Sequence, residues 1–132
     1  MLAATDATKY VKPASSKPIA YGTAGFRARA ETLESTFYRM GMLAVLRSRA
    51  RGGLASGLMV TASHNPEPDN GIKLVDTDGG MLHQSWEGFA TRLANADEGE
   101  LPAVLAAVAA ETATAEASGG VVVIGRDTRP HS

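Results

Sequence analysis

Leu58-Met59-Val60-Thr61-Ala62-Ser63-His64-Asn65-Pro66, resumed at Asn70-Gly71-Ile72-Lys73-Leu74-Val75-Asp76, is the stretch whose reading decides the fold. Leu58 to Thr61 is a short apolar run after Gly57, which reads as a buried strand. Gly71 to Asp76 alternates into a second strand, and Asp78-Gly79-Gly80 signals a turn. Between the strands, Ala62 to Asn70 is a polar loop carrying Pro66 and Pro68.

Upstream, residues 36–50 read as a helix, with Phe37, Met40, Leu43, Ala44 and Leu46 recurring at helical spacing. Ser35 or Thr36 is placed to cap its first turn, and Gly52-Gly53 to end it. Residues 1–18 are polar and form a lead-in; from residue 19 to 132 we expect one domain. Ile19–Tyr21 reads as a short strand or extended piece entering Gly22-Thr23-Ala24-Gly25-Phe26-Arg27. Downstream, Ser85 reads as the cap of a helix over 86–96, and the alanine-rich residues 100–117 as another, with Pro102 tolerated in the first turn. Gly119-Gly120 breaks it. Val121-Val122-Val123-Ile124 is a β-branched strand that runs into Gly125-Arg126-Asp127-Thr128-Arg129. Strands alternating with helices predict an α/β layered domain.

The chain of 132 residues has the size of one ordinary domain, and 44% hydrophobic with 20% charged residues is a globular composition. A net charge of −1 gives no electrostatic case for nucleic acid or an anionic membrane. The absence of cysteine removes disulfides, thiolate metal sites and cysteine nucleophiles, and fits a reducing compartment. The first residues carry no secretory pattern, and no window approaches the roughly 18 apolar residues of a membrane span. These readings lead us to expect a cytoplasmic protein.

The loop between the two central strands concentrates chemistry. It offers a hydroxyl at Ser63, an imidazole at His64, amides at Asn65 and Asn70, and, just beyond, the ammonium of Lys73. Serine is a weak nucleophile unless a base activates it or it is handed a phosphate to hold. Histidine moves protons near neutral pH. Lysine neutralises phosphoryl oxygens or acts as acid or base when its pKa falls. The same residues are also turn formers, so composition alone leaves a solvated turn open as the alternative. Arg27, Arg126 and Arg129 suit either loop bracing or phosphate contact.

TASHNP followed by DNGIKLVD resembles the active-serine loop of the α-D-phosphohexomutase superfamily. Residues 21–27, YGTAGFR, are similar to that family's opening segment, and residues 125–130, GRDTRP, to its GRDTR segment. Here GRDTR follows the serine loop instead of preceding it. That order, with the wording TASHNP and the RMGMLAVLRS helix, looks like the phosphoacetylglucosamine mutase branch. The resemblance implies a mixed β-sheet flanked by helices, as in the superfamily's first domain. It implies a phosphoserine at Ser63, with His64, Lys73 and Arg27 as its catalytic neighbours. The implied reaction interconverts N-acetylglucosamine 6-phosphate and 1-phosphate through a hexosamine 1,6-bisphosphate. It implies one Mg2+, to which this chain would offer only the phosphate on Ser63. No DGDGDR-like run occurs; Asp76-Thr77-Asp78-Gly79-Gly80 is too short. We therefore expect a piece of a longer enzyme, inactive alone, whose partners are a phosphosugar and the enzyme's remaining domains. The alternatives are a non-catalytic phosphosugar-binding fragment or another phosphohexose mutase.

Overall fold

The computed structural model describes residues 10–62 and 64–132. Four strands, β1 (Phe26–Arg29), β2 (Ser56–Val60), β3 (Asp69–Val75) and β4 (Val122–Arg126), form one sheet in the order β1-β3-β2-β4. β3 runs antiparallel to both β1 and β2, whereas β4 runs parallel to β2. Three helices, α1 (Glu34–Ala50), α2 (Gln84–Asn95) and α3 (Leu101–Glu111), complete an α/β domain with a mixed sheet, as expected.

α1 lies on β2, β3 and β4; α2 packs on α1 and α3 on α2. The core forms where the helical stripe Met40, Leu43, Ala44 and Leu46 meets Phe26, Leu58, Ile72 and Leu74 of the sheet. Alternation in the strands explains the pairing: Phe26 opposes Ile72 and Leu58 opposes Leu74, so each apolar set shares one face. Arg27 opposes Gly71, and Lys73 opposes Met59, on the other face. The described part of the lead-in lies against this body: Tyr10 stacks on Tyr38, and the Lys12 N–H donates to Glu98 Oε2 at 3.2 Å.

Several boundaries depart from the sequence reading. Ile19–Tyr21 is not a strand; the first strand begins at Phe26, after a turn closed by reciprocal backbone bonds between Gly22 and Gly25. α1 starts behind a 3-10 turn over Ala30–Thr32, with Leu33 at its cap and no side-chain cap bond; Ser35 and Thr36 are buried inside it. Its far end follows expectation: Gly52 and Gly53 take positive φ, and the Gly53 N–H donates to the Ser48 carbonyl. α2 is capped by the His83 ring, not by Ser85, because Nδ1 accepts from the Ser85 N–H. α3 stops at Glu111, well before Gly119, since Ala113 adopts φ 58° and the Thr112 hydroxyl takes the Val108 carbonyl. β3 begins two residues early, at Asp69, and β4 runs on to Arg126.

Gly25 shows why the YGTAGFR turn has its glycine. Its φ is +76°, and a Cβ there would lie 2.2 Å from the Ile72 carbonyl oxygen. Gly25→Ala therefore combines left-handed strain with a backbone clash in the β1–β3 pair. It is expected to cost about 3 kcal/mol, read as a lowered denaturation midpoint. A change below about 1 kcal/mol would show that the turn has room to relax.

Candidate functional site

The site is built at the carboxyl ends of β2 and its parallel neighbour β4, the usual position for sites in α/β sheets. β2 delivers the chain into residues 61–68, and β4 delivers Asp127 to Ser132 beside it. Ser63 lies outside the described residues, so the structure gives the frame around it.

That frame is fixed along its length. The Thr61 N–H donates to the Gly71 carbonyl at 3.0 Å, and the Thr61 hydroxyl donates to Asp127 Oδ2 at 2.9 Å. The Asn65 N–H donates to the Ala62 carbonyl at 3.0 Å. The Asn65 carbonyl accepts from Arg129 Nη2 at 2.7 Å, and its amide oxygen accepts from Arg27 Nη1 at 3.3 Å. The Glu67 carbonyl contacts His131 Nε2 at 2.8 Å, and the Pro68 carbonyl accepts from the Ala30 N–H at 2.9 Å. At the exit, Asn70 is fully buried and its Nδ2 reaches both His131 Nδ1 and Ser132 Oγ at 2.9 Å. Gly71 permits the crowding there: a Cβ would lie 2.6 Å from the Phe26 carbonyl oxygen and 2.8 Å from that of Thr61.

Of the sequence-predicted residues, Arg27 is brought to the serine loop directly, through Asn65. His64 sits on the loop's turn, exposed. Lys73 is exposed on β3, two positions along from Gly71, on the face it shares with Arg27. Arg129 braces the loop, while Arg126 Nη1 donates to the Ser132 carbonyl at 2.9 Å. Of the predicted catalytic neighbours, the contact seen is that of the Arg27 guanidinium with the Asn65 amide; His64 and Lys73 are both exposed, one on the loop and one on β3.

The sequence reading did not single out Asp127 as a hub. Its carboxylate accepts from the Thr61 hydroxyl, the Ser132 hydroxyl, the Arg129 N–H and the Arg129 guanidinium. The Ser132 hydrogen bond is the first cause holding its pKa far below the usual carboxylate range; desolvation opposes this, and the bonds from Arg129 and Thr61 add to it. The carboxylate is thus ionised at neutral and mildly acidic pH. The available signal was topological: a strand parallel to β2 and adjacent to it places its following loop next to the serine loop.

Among the described residues no group of three or more His, Asp or Glu side chains could hold a metal. Asp76, in the short acidic run, is committed to Arg47 by two hydrogen bonds of 2.9 and 3.0 Å and accepts the Thr77 and His83 N–H groups.

Comparison with known proteins places this geometry in a family. The profile of the Phosphoglucomutase/phosphomannomutase, alpha/beta/alpha domain I family matches residues 42–100. The phosphoacetylglucosamine mutase of Sus scrofa is 56% identical over 112 residues, which cover 85% of this chain and 20% of that protein. The Arabidopsis thaliana enzyme of the same name is 50% identical, over 85% of this chain and 21% of its own length. A solved N-acetylglucosamine-phosphate mutase in a substrate complex superposes with a TM-score of 0.88 at 40% identity, over 95% of this chain and 24% of that one. The Aspergillus fumigatus N-acetylphosphoglucosamine mutase, solved with GlcNAc-6P and magnesium, gives 0.85 at 47% identity, over 96% of this chain and 23% of that one. The chain spans about a fifth of the length of the curated relatives it matches. Sequence and overall fold agree: the chain belongs to the α-D-phosphohexomutase family and corresponds to its α/β/α domain I.

Proposed function

We propose that this chain is the phosphoserine domain of a phosphoacetylglucosamine mutase, interconverting N-acetylglucosamine 6-phosphate and N-acetylglucosamine 1-phosphate. The observation that carries the reading is the serine loop itself, TASHNP, bracketed by Thr61 and Asn65 at the carboxyl end of β2.

In this reading Ser63 Oγ carries a phosphoryl group in the resting enzyme. A sugar hydroxyl attacks the phosphorus; its O–P bond forms as the Oγ–P bond breaks, and its proton passes to a base. His64 and Lys73 are the groups in reach of that role by sequence position, and Lys73 and Arg27 offset the charge on the phosphoryl oxygens. The resulting hexosamine 1,6-bisphosphate reorients, and Ser63 Oγ takes back the other phosphoryl group, releasing the isomer. The Mg2+ that the family implies would meet this chain only at the Ser63 phosphate. Its other ligands, like the sugar-selecting contacts, belong to the enzyme's remaining domains. The 132-residue chain alone is accordingly expected to be inactive. We place the enzyme in the cytoplasm, which the cysteine-free composition fits.

The test is made on the full-length protein. Peptide mass spectrometry should find phosphate on the peptide containing Ser63, and the protein should convert N-acetylglucosamine 6-phosphate to the 1-phosphate with a bisphosphate primer. A protein that turns over without ever carrying phosphate on that peptide would refute the phosphoserine role. Lys73→Ala should lower kcat by roughly 10²-fold or more, the usual scale for a positioned acid–base or electrostatic group, and His64→Ala by less. Unchanged kcat and kcat/KM in the lysine variant would remove Lys73 from the catalytic set.

A further inference from the structure

Asp127 has no place in the chemistry just described, yet three separate points of the serine loop depend on it. The entry is held directly, by the Thr61 hydroxyl. The middle is held through Arg129, whose guanidinium pairs with Asp127 and also takes the Asn65 carbonyl. The exit is held through Ser132, whose hydroxyl donates to Asp127 Oδ1 at 2.7 Å and receives the buried Asn70 amide at 2.9 Å. Thr61 and Asn65 bracket positions 62–64. Ala62 is itself fully buried, with its carbonyl taken by the Asn65 N–H. The residues on either side of position 63 are thus anchored, and His64 is exposed.

We propose that Asp127 is a positioning residue for phosphoryl transfer at Ser63, acting by fixing the turn that presents the serine. The proposal rests on the mutase reading above. Phosphoryl transfer needs the attacking and leaving oxygens nearly in line across phosphorus, and the protein's main contribution is to hold that geometry. A misplacement of about 1 Å costs roughly 10²-fold in rate. A carboxylate suits the post because every group converging on it is a donor: two hydroxyls, a backbone N–H and a guanidinium. An amide in its place accepts through one oxygen only and turns an NH2 group towards those donors. The ionised state also balances Arg129, so that Arg129 can serve the Asn65 carbonyl without leaving an unmatched cation under the loop.

The experiment compares Asp127→Asn with the unaltered full-length enzyme. The amide has the same shape, so binding surfaces and packing stay in place while the charge and the bonds to one of the two oxygens are lost. The expected result is a kcat lower by about 10- to 100-fold, with KM for the sugar phosphate within about threefold, at a folded fraction matched by circular dichroism at the assay temperature. Asp127→Glu, which keeps the charge but shifts it, should fall between the two. Thr61→Val, which cuts one anchor without touching Asp127, should lower kcat in the same direction by less. The proposal is overturned if Asp127→Asn keeps kcat within about twofold, or if its activity falls only in proportion to the folded fraction. It is also overturned if Asp127→Glu is no better than Asp127→Asn, since the charge would then be irrelevant. Failure of the parent reading looks different: the unaltered enzyme itself would show no turnover, and the positioning role would fall with it.

Discussion

Ser63→Ala in the full-length protein is expected to bring mutase turnover down to the level of a no-enzyme control. The proposed cycle passes every phosphoryl group through Ser63 Oγ, and alanine has no oxygen to accept or return it, so no slower version of the same route survives. Nor should the fold suffer. Thr61, Ala62 and Asn65 are held by hydrogen bonds to Gly71, to one another and to the loop from β4, and those bonds are open to the alanine variant as well. The variant should therefore melt within a few degrees of the parent. Loss of activity with an intact melt, together with loss of the phosphopeptide, is the expected pattern. Near-normal turnover in the alanine variant would sink the phosphoserine mechanism outright.

Much of this site was legible because its parts are contiguous. The apolar run before Thr61, the prolines after Ser63 and the alternation after Gly71 are local signals, and they bound the loop correctly to within a few residues. The mixed sheet followed from the resemblance, and the structure has it in β4 parallel and β3 antiparallel to β2. What could not be read was non-local. Asp127 and Thr61 stand 66 residues apart, and only the adjacency of β2 and β4 brings their loops together. The misplaced first strand has a related cause. Ile19–Tyr21 carries extended propensity, but its backbone is taken by Asn95 and Thr91 of α2, leaving Phe26–Arg29 to pair with β3. At α2, a histidine two residues before Ser85 took the capping role; serine is the stronger statistical candidate, and the ring geometry decides the case.

The second large effect expected is on stability, at a residue the helical pattern of α1 does not mark. Arg39 lies in the middle of α1 with its side chain completely buried. Its Nη1 donates to the carbonyls of Leu93 at 2.9 Å, Ala94 at 3.4 Å and Ala96 at 2.6 Å, and its Nη2 meets Glu98 Oε2 at 2.7 Å. Those carbonyls belong to the end of α2, where the last turn has no partners of its own and the helix dipole favours a cation. One guanidinium thus closes the α2 terminus and fastens α1 to the turn before α3. Truncating it leaves buried acceptors without donors and removes the counter-charge of Glu98, besides opening a cavity. Glu98 is partly exposed and can resolvate, so the cost comes from the orphaned carbonyls and the cavity, together about 3–5 kcal/mol. Against a net domain stability of about 5–15 kcal/mol that is a large fraction. Arg39→Ala is therefore expected to move the denaturation midpoint by that amount at unchanged slope. Arg39→Met, which refills the volume but supplies no donor, should recover the cavity part only, leaving about 1–3 kcal/mol for the orphaned acceptors. If both variants stay within about 1 kcal/mol of the parent, water has replaced the guanidinium at the helix end and the residue is not the fastening described. Recovery of full stability by methionine alone would instead assign the whole effect to volume.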